Sequence, residues 1–439
     1  MPRSIAGLIA VALVMAACTG GDGGKGHPDG TRSTPTPPAE PHGSVVVGVY
    51  GEPATLDPYS TLASELTWQL VRPVYPSLYR LLPDGSVEPD LVDRLAATPT
   101  GIRITLVDRR WSDGTAITAR DVVASVKRAR PPSGFALVDK ARAAGPRTLI
   151  LEGDVADWPT ALATVAYVLP GGVARKIYGG PFVISDRVPG LEIDYAINEE
   201  WPDTTGLQRF KVQFAISTEM LIALLERGKI DVSAIPSALN LGQRLDEHGI
   251  AHAGALGWDL LYLDLDGADL PGFDNTIGRA LDRQAIVDDL VRSEGRLANG
   301  IHPGPGTHDA GGPFAKVTPK KTESSGTVQI SAPTGDELAE FVQRLIQVQL
   351  EDAGITAELV TVEPDRFYGE WAATDPFDIA VRRAGGAPDD RSARSDRFAI
   401  PVAEVESVGA WNPPVTGIAP NPTYDGLLWN VQDWFLTEG

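Results

Sequence analysis

Two strand–helix–strand runs, at 210–235 and 327–362, dictate the architecture open to this chain. In the first, FKVQFAI (210–216) is followed by the helical TEMLIALLER, a stop at Gly228 and a second strand, IDVSAI (230–235). In the second, TVQISAP (327–333) leads into DELAEFVQRLIQVQLEDA, whose Leu338, Phe341, Leu345 and Val348 are expected on one face, then Gly354 and the strand ITAELVTV. A further strand, FDIAVRRA (377–384), follows. Strands alternating with amphipathic helices build parallel sheets covered on both faces. Ligands of such sheets bind in the crevice beyond the carboxyl ends of the strands. The loop leaving FDIAVRRA is therefore an expected site.

Earlier segments carry equally local signals. SVVVGVY (44–50) reads as a buried strand stopped by the glycine and prolines of GEPATLDPYS, and GIRITLV (101–107) alternates like a half-buried strand. WSDG (111–114) is a turn, with Asp113 and Gly114 supplying its chemistry. Thr118 and Asp121 form a T-x-x-D capping box before VVASVKRAR, which Pro131 is expected to end. Folding accounts for Trp111 and Asp113, so neither is a ligand candidate.

The first eighteen residues read as an address. Arg3 precedes the apolar run IAGLIAVALVM, too short to span a bilayer, and Ala16-Ala17 stand directly before Cys18. LVMAAC resembles the bacterial lipobox, in which the cysteine is acylated and becomes the first mature residue. Residues 19–43 are almost wholly Gly, Pro, Ser, Thr and charged residues, which cannot bury enough apolar surface to fold and so form a tether. Cys18 is the only cysteine. It can form no intramolecular disulfide, and a thiolate metal site would lack ligands.

Length and charge narrow the partners. A chain of 439 residues exceeds a single core. With 58 acidic against 38 basic side chains, the formal charge of −20 repels phosphate backbones and anionic headgroups. Nucleic acid is thus no expected partner, and the membrane is met only through the lipid anchor. No G-x-S-x-G, H-E-x-x-H or P-loop pattern occurs, so neither an enzyme nor a cofactor is expected. His248 and His252 have i,i+4 spacing, but Gly249 interrupts any helix between them. His302 and His308 lie in a Gly/Pro-rich loop, and no metal site is expected.

Several of these segments, in order, resemble the extracytoplasmic solute-binding proteins of peptide-type ABC importers, the oligopeptide, dipeptide and nickel binding group. The segments are GEPATLDP (51–58), GSVEPDLVDRL (85–95), RITLVDRRWSDGTAITARDVVASVKR (103–128), GGPFVI (179–184), the GKID step ending at Asp231, ALDRQAIVDDLV (280–291) and QLEDAGITAEL (349–359). The resemblance implies an α/β, two-lobed periplasmic-binding-protein-like fold with an extra subdomain. Lobe one would comprise 44–70, 169–257 and 399–439, the subdomain 71–168, and lobe two 258–398. It also implies that Asp389, just beyond FDIAVRRA, pairs with the free amino group of a bound peptide. Trp258, Tyr262 and Trp411 lie near the implied lobe crossings, where aromatic faces could hold a ligand.

Gly386 and Asp266 depart from the family's usual tryptophan and asparagine, and an arginine usual before ALDR is missing. Only about ten residues separate Asp389 from the return at Ile400-Pro401, so lobe two is expected to be truncated. The expected function is that of a lipid-anchored, extracytoplasmic, monomeric receptor that captures a peptide or similar small solute and delivers it to an ABC permease. The alternative is a degenerate binding-protein lipoprotein that acts as a surface sensor or interaction protein without transport.

Overall fold

The computed structural model describes residues 43–202, 206–235, 240–265, 273–288, 295–298, 327–371, 377–384 and 398–437. Its strands are β1 (Ser44–Tyr50), β2 (Tyr79–Leu81), β3 (Val87–Pro89), β4 (Val92–Thr98), β5 (Gly101–Leu106), β6 (Lys140–Ala143) and β7 (Thr148–Glu152). They continue with β8 (Phe182–Val188), β9 (Glu192–Ile197), β10 (Arg209–Ala215), β11 (Val232–Ile235) and β12 (Ala251–Leu265). The last of the large sheet are β13 (Gly295–Leu297), β14 (Thr327–Pro333), β15 (Thr356–Val362), β16 (Ile379–Ala384) and β17 (Phe398–Trp411).

Both sequence-predicted units form. β1 pairs in parallel with β10 and β11, and β14 pairs in parallel with β15 and β16. The sheet that joins them is mixed rather than parallel: its order is β15-β14-β16-β12-β17-β11-β1-β10-β9-β8. The long strands β12 and β17 run antiparallel to each other and to their neighbours β16 and β11, and they weld two small parallel cores into one sheet. β4, β5, β7 and β6 make a separate four-stranded antiparallel sheet between β1 and β8 in sequence.

The helices explain the covering. Thr218–Glu226 begins at Ser217, whose hydroxyl accepts the Met220 N–H, and buries Leu221, Ile222 and Leu225 with Ile230 and Ile235 beneath β11. Glu337–Asp352 begins at Asp336, which accepts the Ala339 N–H at 3.0 Å. Its buried stripe is Leu338, Val342, Ile346 and Leu350, not the expected 338/341/345/348 set; Val348 is 54% exposed. The apolar pattern offered both i+3 and i+4 rows, and the sheet selected the i+4 row.

The 118/121 capping box is present, with the Thr118 N–H donating to Asp121 Oδ2 at 2.8 Å. That helix ends at Val126, short of Pro131. Ala129 N–H is shared there between Ser125 O and Val126 O, a tightened final turn. Trp111 is buried, and Asp113 accepts the Thr115 N–H and hydroxyl, as the folding role requires. The GKID aspartate likewise serves the fold: Asp231 Oδ2 accepts the Val46 N–H at 2.8 Å.

Candidate functional site

The carboxyl ends of the parallel strands from both halves open onto one cavity of about 340 Å³. From the first half, β1 delivers Val49 and Tyr50 and the following Gly51-Glu52; β11 ends in Ala234 and Ile235. The Glu65–Val71 helix adds Glu65, Trp68 and Gln69, and the C-terminal segment adds Tyr424. From the second half come Asp336 after β14, Pro364, Asp365 and Tyr368 after β15, and Arg383 near the end of β16. The cavity therefore sits where the topology of open α/β sheets puts a ligand.

Beside it the two halves touch directly. The Tyr50 hydroxyl donates to Thr334 O at 2.5 Å, and Thr218 N–H donates to Gly335 O at 3.1 Å. The turn Thr334–Asp336 thus docks on the β10-to-helix corner at Ile216–Thr218. Gly335 permits this: its φ is +81°, and a Cβ there would lie 2.3 Å from Ile216 O. Burial pushes the Tyr50 phenol well above its ordinary pKa, with Tyr368, Asp336 and Glu340 adding to the effect, so it remains a donor.

Carboxylates crowd the same corner. Burial raises the Glu337 pKa and Glu219 across the contact raises it further, against a lowering by Arg244. Arg244 donates to both Glu219 oxygens, at 2.7 and 3.2 Å, and thereby lowers Glu219. Inside the cavity wall, Asp336 is almost wholly buried and its Oδ2 accepts no hydrogen bond; Arg383 Nη1 stands 3.6 Å away. Glu52 is held from behind by Arg187 at 2.8 Å and by the Gly190 N–H at 2.7 Å.

The nominated residues fare differently. Cys18, Asp266, His302, His308, Gly386 and Asp389 lie outside the described residues. Trp258 falls within β12, but its side chain is also outside them. Tyr262 is buried against Leu260 and Ala298, and Trp411 packs on the core of the first half; neither lines the cavity. His248 and His252 are separated by Gly249, and their Nδ1 atoms face Arg244 O and Ile250 O. Among the described residues no group of three or more His, Cys, Asp or Glu could hold a metal.

Tyr50, Glu65, Trp68, Asp336 and Tyr368 were not nominated. Applying the strand-end rule to every parallel strand, rather than to FDIAVRRA alone, picks out Tyr50 and Asp336; the other three have no signal in the sequence.

A mixed sheet with two parallel cores, crossed by a pair of long strands and enclosing a cavity between them, defines a two-lobed solute-binding protein. The profile of the bacterial extracellular solute-binding proteins, family 5, matches residues 86–402, and the chain belongs to that family. Its members are binding proteins of the extracytoplasmic space, not enzymes.

Solved structures share the fold. The oligopeptide-binding protein AppA from Bacillus subtilis, in complex with a nonapeptide, superimposes with a TM-score of 0.76 at 17% identity, over 92% of this chain and 100% of that one. The murein tripeptide binding protein MppA of Escherichia coli gives 0.75 at 16% identity, over 90% and 99%. NikZ from Campylobacter jejuni, in complex with Ni(L-His), gives 0.72 at 16% identity, over 89% and 99%. No curated protein matches the sequence.

Proposed function

We propose that this solute-binding protein is the lipid-anchored receptor of an ABC importer, capturing a peptide or similar small solute between its lobes and delivering it to a permease. The observation that supports this reading is the cavity shared by the strand ends of both lobes. A ligand touching both walls gains contacts only when the lobes are together, and so shifts a hinge equilibrium toward closure. Cys18 and the 19–43 tether would hold the body near the membrane as a monomer. Lobe two would span 258–398, shortened relative to the family, and Asp389 at its edge would receive a ligand ammonium.

Thermal-shift screening of the protein against di- to pentapeptides and small amines tests the reading. A ligand at a hundred times its dissociation constant adds about 2.7 kcal/mol of stability, and small-angle scattering at saturation should then show a smaller radius of gyration. No stabilisation by any member of either class would sink the receptor reading in favour of a surface sensor or interaction protein.

A further inference from the structure

Charge is unevenly placed along the chain. Residues 71–168 carry 13 basic against 11 acidic side chains, whereas the whole chain carries 38 against 58. This segment holds the four-stranded sheet β4-β5-β7-β6, and every residue of it is described. One face of the sheet packs on the core through Ile102, Ile104, Leu149 and Leu151. The register fixes what the other face carries. Across its middle run Ala96, Arg103, Ile150 and Arg142, each directly opposite the next. At one end Arg94 stands opposite Thr105, with Arg147 exposed in the bend before β7. At the other end Lys140 stands opposite Glu152.

The acids of the sheet keep to that second end. Asp139, Glu152 and Asp154 gather round Lys140, whose amine is 4.0 Å from Glu152. Arg103, Arg142 and Arg147 are exposed and form no ion pair with any described residue. Arg94 is 84% exposed, and its contact with Asp93 is long, at 3.8 Å, and open to water, so it neutralises little. Ile150 lies on this outer face and outside the core cluster behind the sheet, yet it is only 4% exposed. Arginine stems laid over it from both flanks account for that burial and hold the two guanidiniums at the surface.

Neighbouring arginines in such a register stand roughly 8–10 Å apart, about one Debye length at physiological salt. They act together on any surface laid against them, while acids elsewhere in the chain are screened. The repulsion expected from a formal charge of −20 is an average over the chain that this face does not share.

We propose that the outer face of β4-β5-β7-β6, through Arg94, Arg103, Arg142 and Arg147, docks on the anionic headgroups of the bilayer to which the chain is tethered. The proposal rests on the reading of Cys18 as an anchor and of residues 19–43 as a tether. A Gly-rich stretch of this length has a root-mean-square span of about 25–30 Å and a contour of roughly 80–90 Å. Such a tether holds the body at a roughly millimolar effective concentration over the bilayer, so a weak surface contact suffices, and it allows any face to turn toward lipid. The tether sets the distance, and the one basic sheet face sets the orientation. A flat array of cations also suits a flat, negatively charged partner better than a single pocketed anion.

Vesicle sedimentation tests this on the full chain carrying Cys18→Ser, so that no acyl chain contributes. One set of vesicles is phosphatidylcholine alone, and the other an equal mixture with phosphatidylglycerol. Each basic residue at an anionic surface contributes about fivefold, so the mixed vesicles should be preferred by at least about twentyfold, a preference that high salt removes. Arg103→Gln combined with Arg142→Gln should lose about twentyfold of binding to the mixed vesicles. Arg103→Lys combined with Arg142→Lys should keep it, and both pairs should melt like wild type. Whatever residues 1–17 add is common to every variant.

Equal binding to the two vesicle types, or a preference that survives the glutamine pair, overturns the proposal. A salt-sensitive dimer by light scattering, lost in the glutamine pair while vesicles go unbound, would give the face to a second copy of the chain and overturn it too. The anchor reading fails separately, by membrane retention of Cys18→Ser in cells; the vesicle preference carries the basic face without it.

Discussion

Gly335→Ala separates lobe contact from fold stability. The new methyl would lie 2.3 Å from Ile216 O and 3.1 Å from the Cα and Cβ of Ser217, so the docked turn must retreat by roughly 1 Å to reach ordinary contact. Retreat stretches the Thr218 N–H to Gly335 O bond, now 3.1 Å, and the Tyr50 to Thr334 O bond, now 2.5 Å. At about 1 kcal/mol net for each hydrogen bond, closure loses about 2 kcal/mol, or about thirtyfold in affinity for any ligand that requires both lobes.

A left-handed alanine also costs about 1–2 kcal/mol of folding stability wherever it occurs. Gly228→Ala supplies the control, since Gly228 has φ +59° and a Cβ there meets nothing within 4 Å. Both variants should melt earlier than wild type. Only Gly335→Ala should show an enlarged radius of gyration by small-angle scattering and weakened ligand binding by calorimetry. Tyr50→Phe, which deletes a single bond, should fall between, at about fivefold. If Gly335→Ala scatters and binds like wild type, or if Gly228→Ala loses affinity equally, the docked turn does not govern closure.

Three further outcomes follow from other parts of the chain. Cys18→Ser should release the protein from the membrane fraction or leave it unprocessed, and unchanged processing with membrane retention would refute the anchor. Asp389→Asn should cost about 2–5 kcal/mol of ligand affinity if the side chain pairs with a buried ammonium, against under about 1 kcal/mol for an exposed carboxylate; calorimetry on it and on Asp390→Asn, with both within a factor of about five of wild type, would remove the amine receptor. Near β3, burial alone would raise the buried Asp90, but Arg109, Arg72 and Arg80 outweigh it and hold its pKa at about 2. Because this lies below the unfolded value of about 3.9, the stability Asp90 lends is complete above that value and is lost as pH falls toward 2. Denaturant melts should therefore show the gap between wild type and Asp90→Asn, on the order of 2 kcal/mol near neutrality, shrinking as pH falls through this window, and a gap independent of pH would refute the assignment.

The strands and helices of the two parallel cores were legible because their signals are local: β-branched runs, amphipathic helical stretches, glycine stops. The weld between them was not. β12 (AHAGALGWDLLYLDL) carries glycines and acidic residues through its length, and β17 is interrupted by Pro401, so neither presents the clean alternation of a half-buried strand. Their register, with shifts between Ala255 and Asp259 and again at Tyr262, is fixed only by long-range pairing. The same long-range pairing decides which way an aromatic side chain on these strands faces. On a strand covered on both faces, sequence cannot say whether a tyrosine such as Tyr262 turns toward a cleft or toward Leu260 and Ala298, and here it turns inward. Tyr50 and Asp336 could have been found from strand ends, but Glu65 and Trp68 come from a helix that follows a loop, and only the folded chain brings them opposite β14.

The turn Thr334–Asp336 couples the contact between the lobes to the cavity wall. Its first residue receives the Tyr50 hydroxyl, its second lets the lobes approach to backbone contact, and its third caps the Glu337–Asp352 helix while forming cavity wall. These are one structural element, so the lobe separation, the cavity height and the position of the buried carboxylate cannot vary independently. A ligand longer than the cavity must undock the turn, losing the two inter-lobe bonds and moving Asp336 away from Arg383. A ligand that fits keeps both bonds and leaves Asp336 beside Arg383. The discrimination therefore lies in the height at which the lobes come to rest as much as in the residues of the floor, and the affinity of a length series should fall most sharply at the first member that Gly335→Ala binds as well as wild type does.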